Sequence, residues 1–166
     1  MKPREIVSNS GPLISLEKLP DGFDFIRSLY DRIIIPPEVL AEVSVHYASE
    51  EKYLTQYHLD DLLEIQQIDV MPELENTDLD IAEIKAISLA ATLKMPLIIE
   101  ERAGRAAARA LDIPYSGIAG QVIKAFDQKL LSAQESREKI QTLFEKSRIN
   151  RKVYLALRGK ISAETV

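Results

Sequence analysis

The sequence predicts an α/β protein: a three-layer α/β/α sandwich on a central parallel sheet, with extra helices at its C-terminal end. Three observations predict it. Short β-branched runs recur, EIV at 5–7, RIII at 32–35 and PLII at 96–99, as in strands buried on both faces. Between them lie stretches with apolar residues at helical spacing, such as Phe23, Ile26 and Leu29. Strand and helix therefore alternate along the chain, which calls for parallel pairing with helices on both faces.

The first strand, around Ile6 and Val7, stops in a polar knot, Ser8–Asn9–Ser10–Gly11. Asn9 and Ser10 suit helix caps there, and Pro12 suits a first helical turn. PLISLEKL then predicts a short helix, and GFDFIRSLY a second. A buried strand follows at Ile33 to Ile35, stopped by Pro36 and Pro37, with a helix from about Glu38. SEEKYLTQYHLDDLLE predicts an amphipathic helix with Tyr53, Leu54, Tyr57 and Leu62 on or near one face, and IQQIDVM alternates like a half-exposed strand. In DLDIAEIKAISLAATLKM, Asp78 or Asp80 is the expected cap, with Ile84, Ile87 and Ala91 in an apolar stripe. PLIIE is a buried-type strand, ERAGRAAARAL a strong helix former, IPYSGIAG a strand running into a turn, and QVIKAFDQKLL another helix. From Ser132 the tail predicts two helices separated near Asn150.

The 166 residues fit one domain, 1–166, with 132–166 as its helical tail. The chain has no cysteine and only His46 and His58, which argues against thiolate and histidine-rich metal centres. A metal here would have to be held by oxygen. No leader pattern and no bilayer-length apolar run are visible, so the cytoplasm is the expected location. A net charge of −5 argues against indiscriminate nucleic-acid binding. Its distribution is uneven: Glu38 to Glu83 carry 13 acidic residues and one basic, whereas Glu135 to Lys160 carry eight basic and three acidic. A local basic surface is compatible with that, as are two solvated helix faces.

Four glutamates fall where chemistry is expected. Parallel α/β sheets bind ligands at the carboxyl ends of their strands. Asn9, Glu100 and Glu101 reach that edge as strand ends, and Glu83 reaches it if its helix starts there. Glu42 lies on the helix after the second strand. Converging carboxylates suit Mg²⁺ or Mn²⁺, which take oxygen donors, and crowded acids without a cation would be forced to hold protons. Acidic residues at helix starts are also favoured by the helix dipole, with no ligand involved. Arg102, Arg105 and Arg109, at offsets 0, 3 and 7, share one helix face beside the same edge. They are available for phosphate or for ion pairing with nearby acids.

Six segments in order, IVSNSGPLI, RIIIPPEVLAEV, IAEIKAISLAATL, PLIIEERAGRAAARAL, LDIPYSGIAGQVIKAF and QKLL, resemble the PIN-domain family. The likeness is to its compact prokaryotic branch of predicted nucleic-acid-binding proteins. It covers nearly the whole chain, including the tail FEKSRINRKVYLALRGKI. The resemblance implies a Mg²⁺- or Mn²⁺-dependent ribonuclease, often the toxin of a toxin–antitoxin pair held inactive by a small antitoxin protein, and a homo-oligomer. By position, the first-strand aspartate of the family falls on Asn9 and the acid after Pro-Pro on Glu42. The Gly-Glu glutamate falls on Glu83, with Ala82 in place of the glycine. The paired aspartates fall on Glu100 and Glu101, of which Glu101 aligns better.

The expected site is thus Asn9, Glu42, Glu83 and Glu101, with Glu100 also in the metal set and Arg102, Arg105 and Ser10 as phosphate contacts. Asn9 brings an oxygen but no charge, and each glutamate at 100 and 101 is one methylene longer than an aspartate. Two outcomes remain open: a cleft that still holds metal, or a catalytically inactive nucleic-acid-binding or protein-interaction module. A nucleotide-binding regulator is a third class, and it lacks a phosphate-loop fingerprint.

Overall fold

The computed structural model describes residues 2–164. Five strands form one parallel sheet: β1 (Glu5–Ser8), β2 (Arg32–Ile35), β3 (Leu63–Ile65), β4 (Leu97–Ile98) and β5 (Tyr115–Ser116). Their order across the sheet is β3-β2-β1-β4-β5. β1 lies in the middle because the chain lays β2 and β3 to one side, then returns to place β4 and β5 on the other. Val7 pairs with both Ile34 and Leu97. The order reverses between β1 and β4, and the carboxyl ends at such a switch point diverge into a crevice.

Helices flank the sheet: α1 (Ser10–Lys18), α2 (Gly22–Leu29), α3 (Pro37–Val43), α4 (Glu50–Gln56), α5 (Ile81–Leu93), α6 (Arg102–Ala110), α7 (Ile118–Asp127), α8 (Ala133–Glu145) and α9 (Arg151–Glu164). Ile6, Val7, Ile33, Ile35, Leu97 and Ile98 are fully buried, as sandwiching between helix layers requires. Leu13, Leu16, Ile26, Val39, Ile87 and Val122 close over them from the helices. The α/β/α sandwich with C-terminal helices is the architecture the strand–helix alternation predicts.

Three elements differ from the expectation. The helix expected through Glu64 ends at Gln56, and His58 adopts a left-handed conformation (φ 54°) that no helix continues through. The freed chain turns so that Leu63 and Ile65 pair with Ile33 and Ile35. Ladder bonds and burial of Leu62 and Leu63 outweigh helical spacing here. The strand expected at 65–71 is therefore centred earlier, and residues 66–71 have no regular structure. α7 also starts three residues sooner than expected, at Ile118, and ends at Asp127.

Beneath α1, Tyr47, Tyr53 and Tyr57 pack edge to face, with centroids 5.2 to 6.1 Å apart. The hydroxyls of Tyr47 and Tyr57 meet at 2.7 Å. Tyr53 is fully buried, and its hydroxyl has no hydrogen-bond partner.

Candidate functional site

Asn9 ends β1 and occupies the N-cap position of α1, yet its side chain caps nothing. Its backbone N–H donates to Ile98 O across the β1–β4 switch at 3.1 Å. Among the described residues Asn9 Oδ1 is buried without a hydrogen bond, whereas the buried Ser10 hydroxyl lies beside the Glu42 carboxylate. The cap role expected for the Asn9 side chain is unfilled.

Glu83 enters through a capping box. Asp80 Oδ1 accepts from the Glu83 N–H at 2.8 Å, and Glu83 Oε2 accepts from the Asp80 N–H at 3.3 Å. Glu83 is 5% exposed, and its other oxygen, Oε1, is buried and accepts no N–H or hydroxyl hydrogen bond among the described residues. Gly104 makes this possible. A Cβ at that position would lie 2.4 Å from Ile99 Cδ1 and 3.2 Å from Glu83 Oε1, so only glycine lets α6 sit this close to the carboxylate.

Glu101 is the N-cap of α6 and likewise forms no side-chain cap bond. Its carboxylate faces Glu83. Burial first, then the charges of Glu101 and Asp80, push Glu83 up to about 7, and a hydrogen shared with Glu101 adds to the rise. Glu42, exposed on α3, joins from the far wall. Its pKa is raised by partial desolvation, then by Asp80 and by Glu101, while the Ser10 hydroxyl pulls it down. Glu42, Asp80, Glu83 and Glu101 thus form an acid basin, with Glu83 at its floor and the other three at its solvent rim. The N-termini of α5 and α6 both point into it, which offsets part of the repulsion.

Glu100 stands elsewhere. Its Oε1 accepts from Ser15 Oγ at 2.6 Å and from Arg148 Nη2 at 3.2 Å, and its Oε2 accepts from the Ile118 N–H at 3.2 Å. Both oxygens are committed to protein groups, which corrects its expected place among the metal ligands. The chain turns between them: Glu100 lies in the link after β4, whereas Glu101 is already the N-cap of α6. Ser10, expected to meet phosphate, stands among the acids at 2% exposure. Arg102 is exposed in the first turn of α6 and makes no ion pair among the described residues. Arg105 is half-buried, with Nε donating to Ile99 O at 3.0 Å. Arg109 is spent on the Tyr115 hydroxyl.

Two residues that sequence reasoning missed belong to this edge. Asp80 was identifiable only as a cap, although its spacing to Glu83 places two acids on one helix start. Arg148 lies 48 residues from Glu100, with no local signal linking them.

Among the described residues no three acids or histidines are gathered as a ready-made metal cage. The chemistry of the donors nevertheless fits a hard dication. Two carboxylates, Glu83 and Glu101, crowd together, and Asn9 Oδ1 is buried with no hydrogen bond among the described residues. Mg²⁺ in particular is bound by one or two carboxylates plus water rather than by a closed protein cage.

A family model described as "PIN domain" matches residues 5–162. No curated protein matches the chain. Among solved structures, a PilT N-terminus domain protein from the hyperthermophilic archaeon Sulfolobus solfataricus P2 is similar, with a TM-score of 0.53 and 17% identity. The likeness covers 73% of this chain and 92% of that one, and at this identity it is a likeness of fold. With its acid-lined sheet edge and a family match over nearly its whole length, the chain belongs to the PIN-domain family.

Proposed function

We propose that the chain is a Mg²⁺- or Mn²⁺-dependent ribonuclease working at the β1–β4 edge. The observation that carries this reading is Glu83: a buried carboxylate facing Glu101, driven up to about 7 by burial and by the acids around it, with one oxygen that accepts no N–H or hydroxyl hydrogen bond among the described residues. A structural carboxylate is rarely left so; a ligand waiting for a cation is. When bound, such an ion polarises a phosphodiester and acidifies water. Glu83 and Glu101 hold it, and Asn9 Oδ1 and Ser10 Oγ complete the oxygen set. Glu42 and Asp80, at the rim, accept the proton of the attacking water. Arg102 and Arg105 contact phosphate. RNA hydrolysis should require Mg²⁺ or Mn²⁺, stop with a chelator, and be lost in Glu83→Gln; cleavage indifferent to chelation would overturn the reading.

A second reading, a catalytically inactive nucleic-acid-binding or protein-interaction module, is favoured by Asn9 and Ala82, which replace an acid and a glycine of the family pattern. A toxin role, with a small antitoxin protein covering the acid edge, is carried by the family resemblance. A homo-oligomer is supported by the exposed apolar side chains Leu130, Val153 and Leu155 near the C-terminal end. Among the described residues no helix is long and apolar enough to cross a membrane, which supports a cytoplasmic setting with RNA within reach.

A further inference from the structure

On the Glu100 side of the same edge a cleft of about 410 Å³ opens between the strand ends, α6, the start of α7 and the α8–α9 turn. Arg105, Gly117, Gly120, Arg148 and Asn150 line it together with Glu100. The Arg105 guanidinium carbon lies 5.8 Å from the Tyr115 ring centroid, and its Nε is held by Ile99 O. Among the described residues it pairs with no carboxylate, and its terminal nitrogens make no hydrogen bond. A Cβ on Gly117 would lie 2.5 Å from Arg105 Nη2, so glycine there clears the space this guanidinium occupies.

Arg148 forms the opposite wall. Its Nε donates to Ser15 Oγ at 2.8 Å, and its Nη2 donates to Gly11 O and Glu100 Oε1. Its Nη1 stays free. In the first turn of α7 the Ile118 N–H goes to Glu100, while those of Ala119 and Gly120 have no side-chain cap. Two guanidiniums and a helix start therefore face a single carboxylate. A half-buried guanidinium without a counter-ion, in a walled cleft, is a receptor for an oxyanion.

We propose that this cleft seats a backbone phosphate of the RNA strand flanking the linkage to be cut. The identity of the strand rests on the ribonuclease reading; the phosphate chemistry of the cleft does not. Glu100 and Glu101 are consecutive, with Cα atoms about 3.8 Å apart, yet face different clefts. A strand laid across the end of β4 meets the acid basin on one side and Arg105 with Arg148 on the other.

The test measures binding of a short single-stranded RNA by the full chain over a range of salt, with Arg105→Gln and Gly120→Asp. A Cβ on Gly120 meets only Ser116 Cβ, at 3.3 Å, and an acid in the first turn of a helix favours folding. Gly120→Asp thus adds a negative charge to the cleft without threatening the fold. Arg105→Gln should weaken RNA binding about tenfold and lower the salt slope by roughly 0.7. Gly120→Asp should weaken RNA binding at least as much and leave calorimetric Mn²⁺ binding unchanged. Inorganic phosphate should displace RNA only weakly.

Unchanged affinity and slope in both variants would overturn the proposal, as would inorganic phosphate binding as tightly as the oligonucleotide. If the variants lose RNA binding but the wild type cuts nothing with Mg²⁺ or Mn²⁺, the nuclease reading fails and the subsite stands. If cleavage persists and both variants bind RNA like the wild type, the subsite alone fails.

Discussion

Glu100 and Glu101, consecutive at the end of β4, have opposite electrostatic fates. Glu100 is neutralised by Arg148 at 3.2 Å and by the Ser15 hydroxyl and Ile118 N–H, whereas Glu101 faces Glu83, acid against acid. One carboxylate is structural; the other is the one the proposed function assigns to a cation.

That division predicts opposite effects of the same substitution. Glu100→Gln leaves Arg148 without its counter-charge and should cost roughly 2 kcal/mol of stability, since the pair is only partly exposed. Glu101→Gln relieves repulsion with Glu83 and should leave metal-free stability unchanged or higher. Urea unfolding in a chelating buffer checks both. Equal destabilisation by the two would contradict the division.

The raised pKa of Glu83 predicts a pH dependence of folding. Between its ordinary 4.5 and about 7, the folded chain keeps a proton that the unfolded chain has released. Stability is therefore favoured at the acid end and is lost as pH rises through this window. Glu83→Gln keeps an acceptor for the capping box and removes the titration. It should match the wild type near pH 4.5 and exceed it above pH 7 by no more than about 3 kcal/mol in metal-free buffer. Parallel stability curves for the two proteins would sink this account of the basin.

Asn9→Asp adds a charge at the buried end of β1, where Asn9 Oδ1 has no hydrogen bond among the described residues. Without metal the new carboxylate joins a crowd of acids, so the melting temperature in chelator should fall. With Mn²⁺ it gains an attractive ligand, and affinity should rise about tenfold or more, the worth of one favourable charged contact. Calorimetry alongside thermal melts measures both signs, and an Asn9→Asp chain with unchanged Mn²⁺ affinity would contradict the ligand role.

Tyr53→Phe provides a control far from the basin. The Tyr53 hydroxyl is buried without a partner, so its removal should leave stability unchanged or raise it by about 1 kcal/mol. A loss above that size would mean the hydroxyl has an unrecognised partner.

The parts of this site legible in the sequence were those written locally. β-Branched runs ending in polar residues located the strand ends, and strand–helix alternation placed Asn9 and Glu101 on one edge. Glu83 and Glu42 stood on helices that follow a cap and a Pro-Pro stop, and their place in the site came from the family resemblance. Choosing between Glu100 and Glu101 needs the register of β4, fixed by pairing of Leu97 and Ile98 with Val7 and Ser8, and Arg148 arrives from a turn far down the chain. Asp80 was hidden by its own chemistry, because a residue that explains itself as a cap gives no sign of a second use. The misplaced helix end near Gln56 has the same root: the pull of β2 on Leu63 and Ile65 is tertiary.

The most direct measurement is calorimetric titration of Mn²⁺ into the wild type and into the Glu83→Gln/Glu101→Gln double variant at neutral pH. The account predicts one binding event for the wild type, releasing protons in proportion to the buffer's ionisation heat, and none for the double variant. Identical titrations for the two proteins, or no binding by a wild type whose Glu83 still titrates near 7, would contradict it.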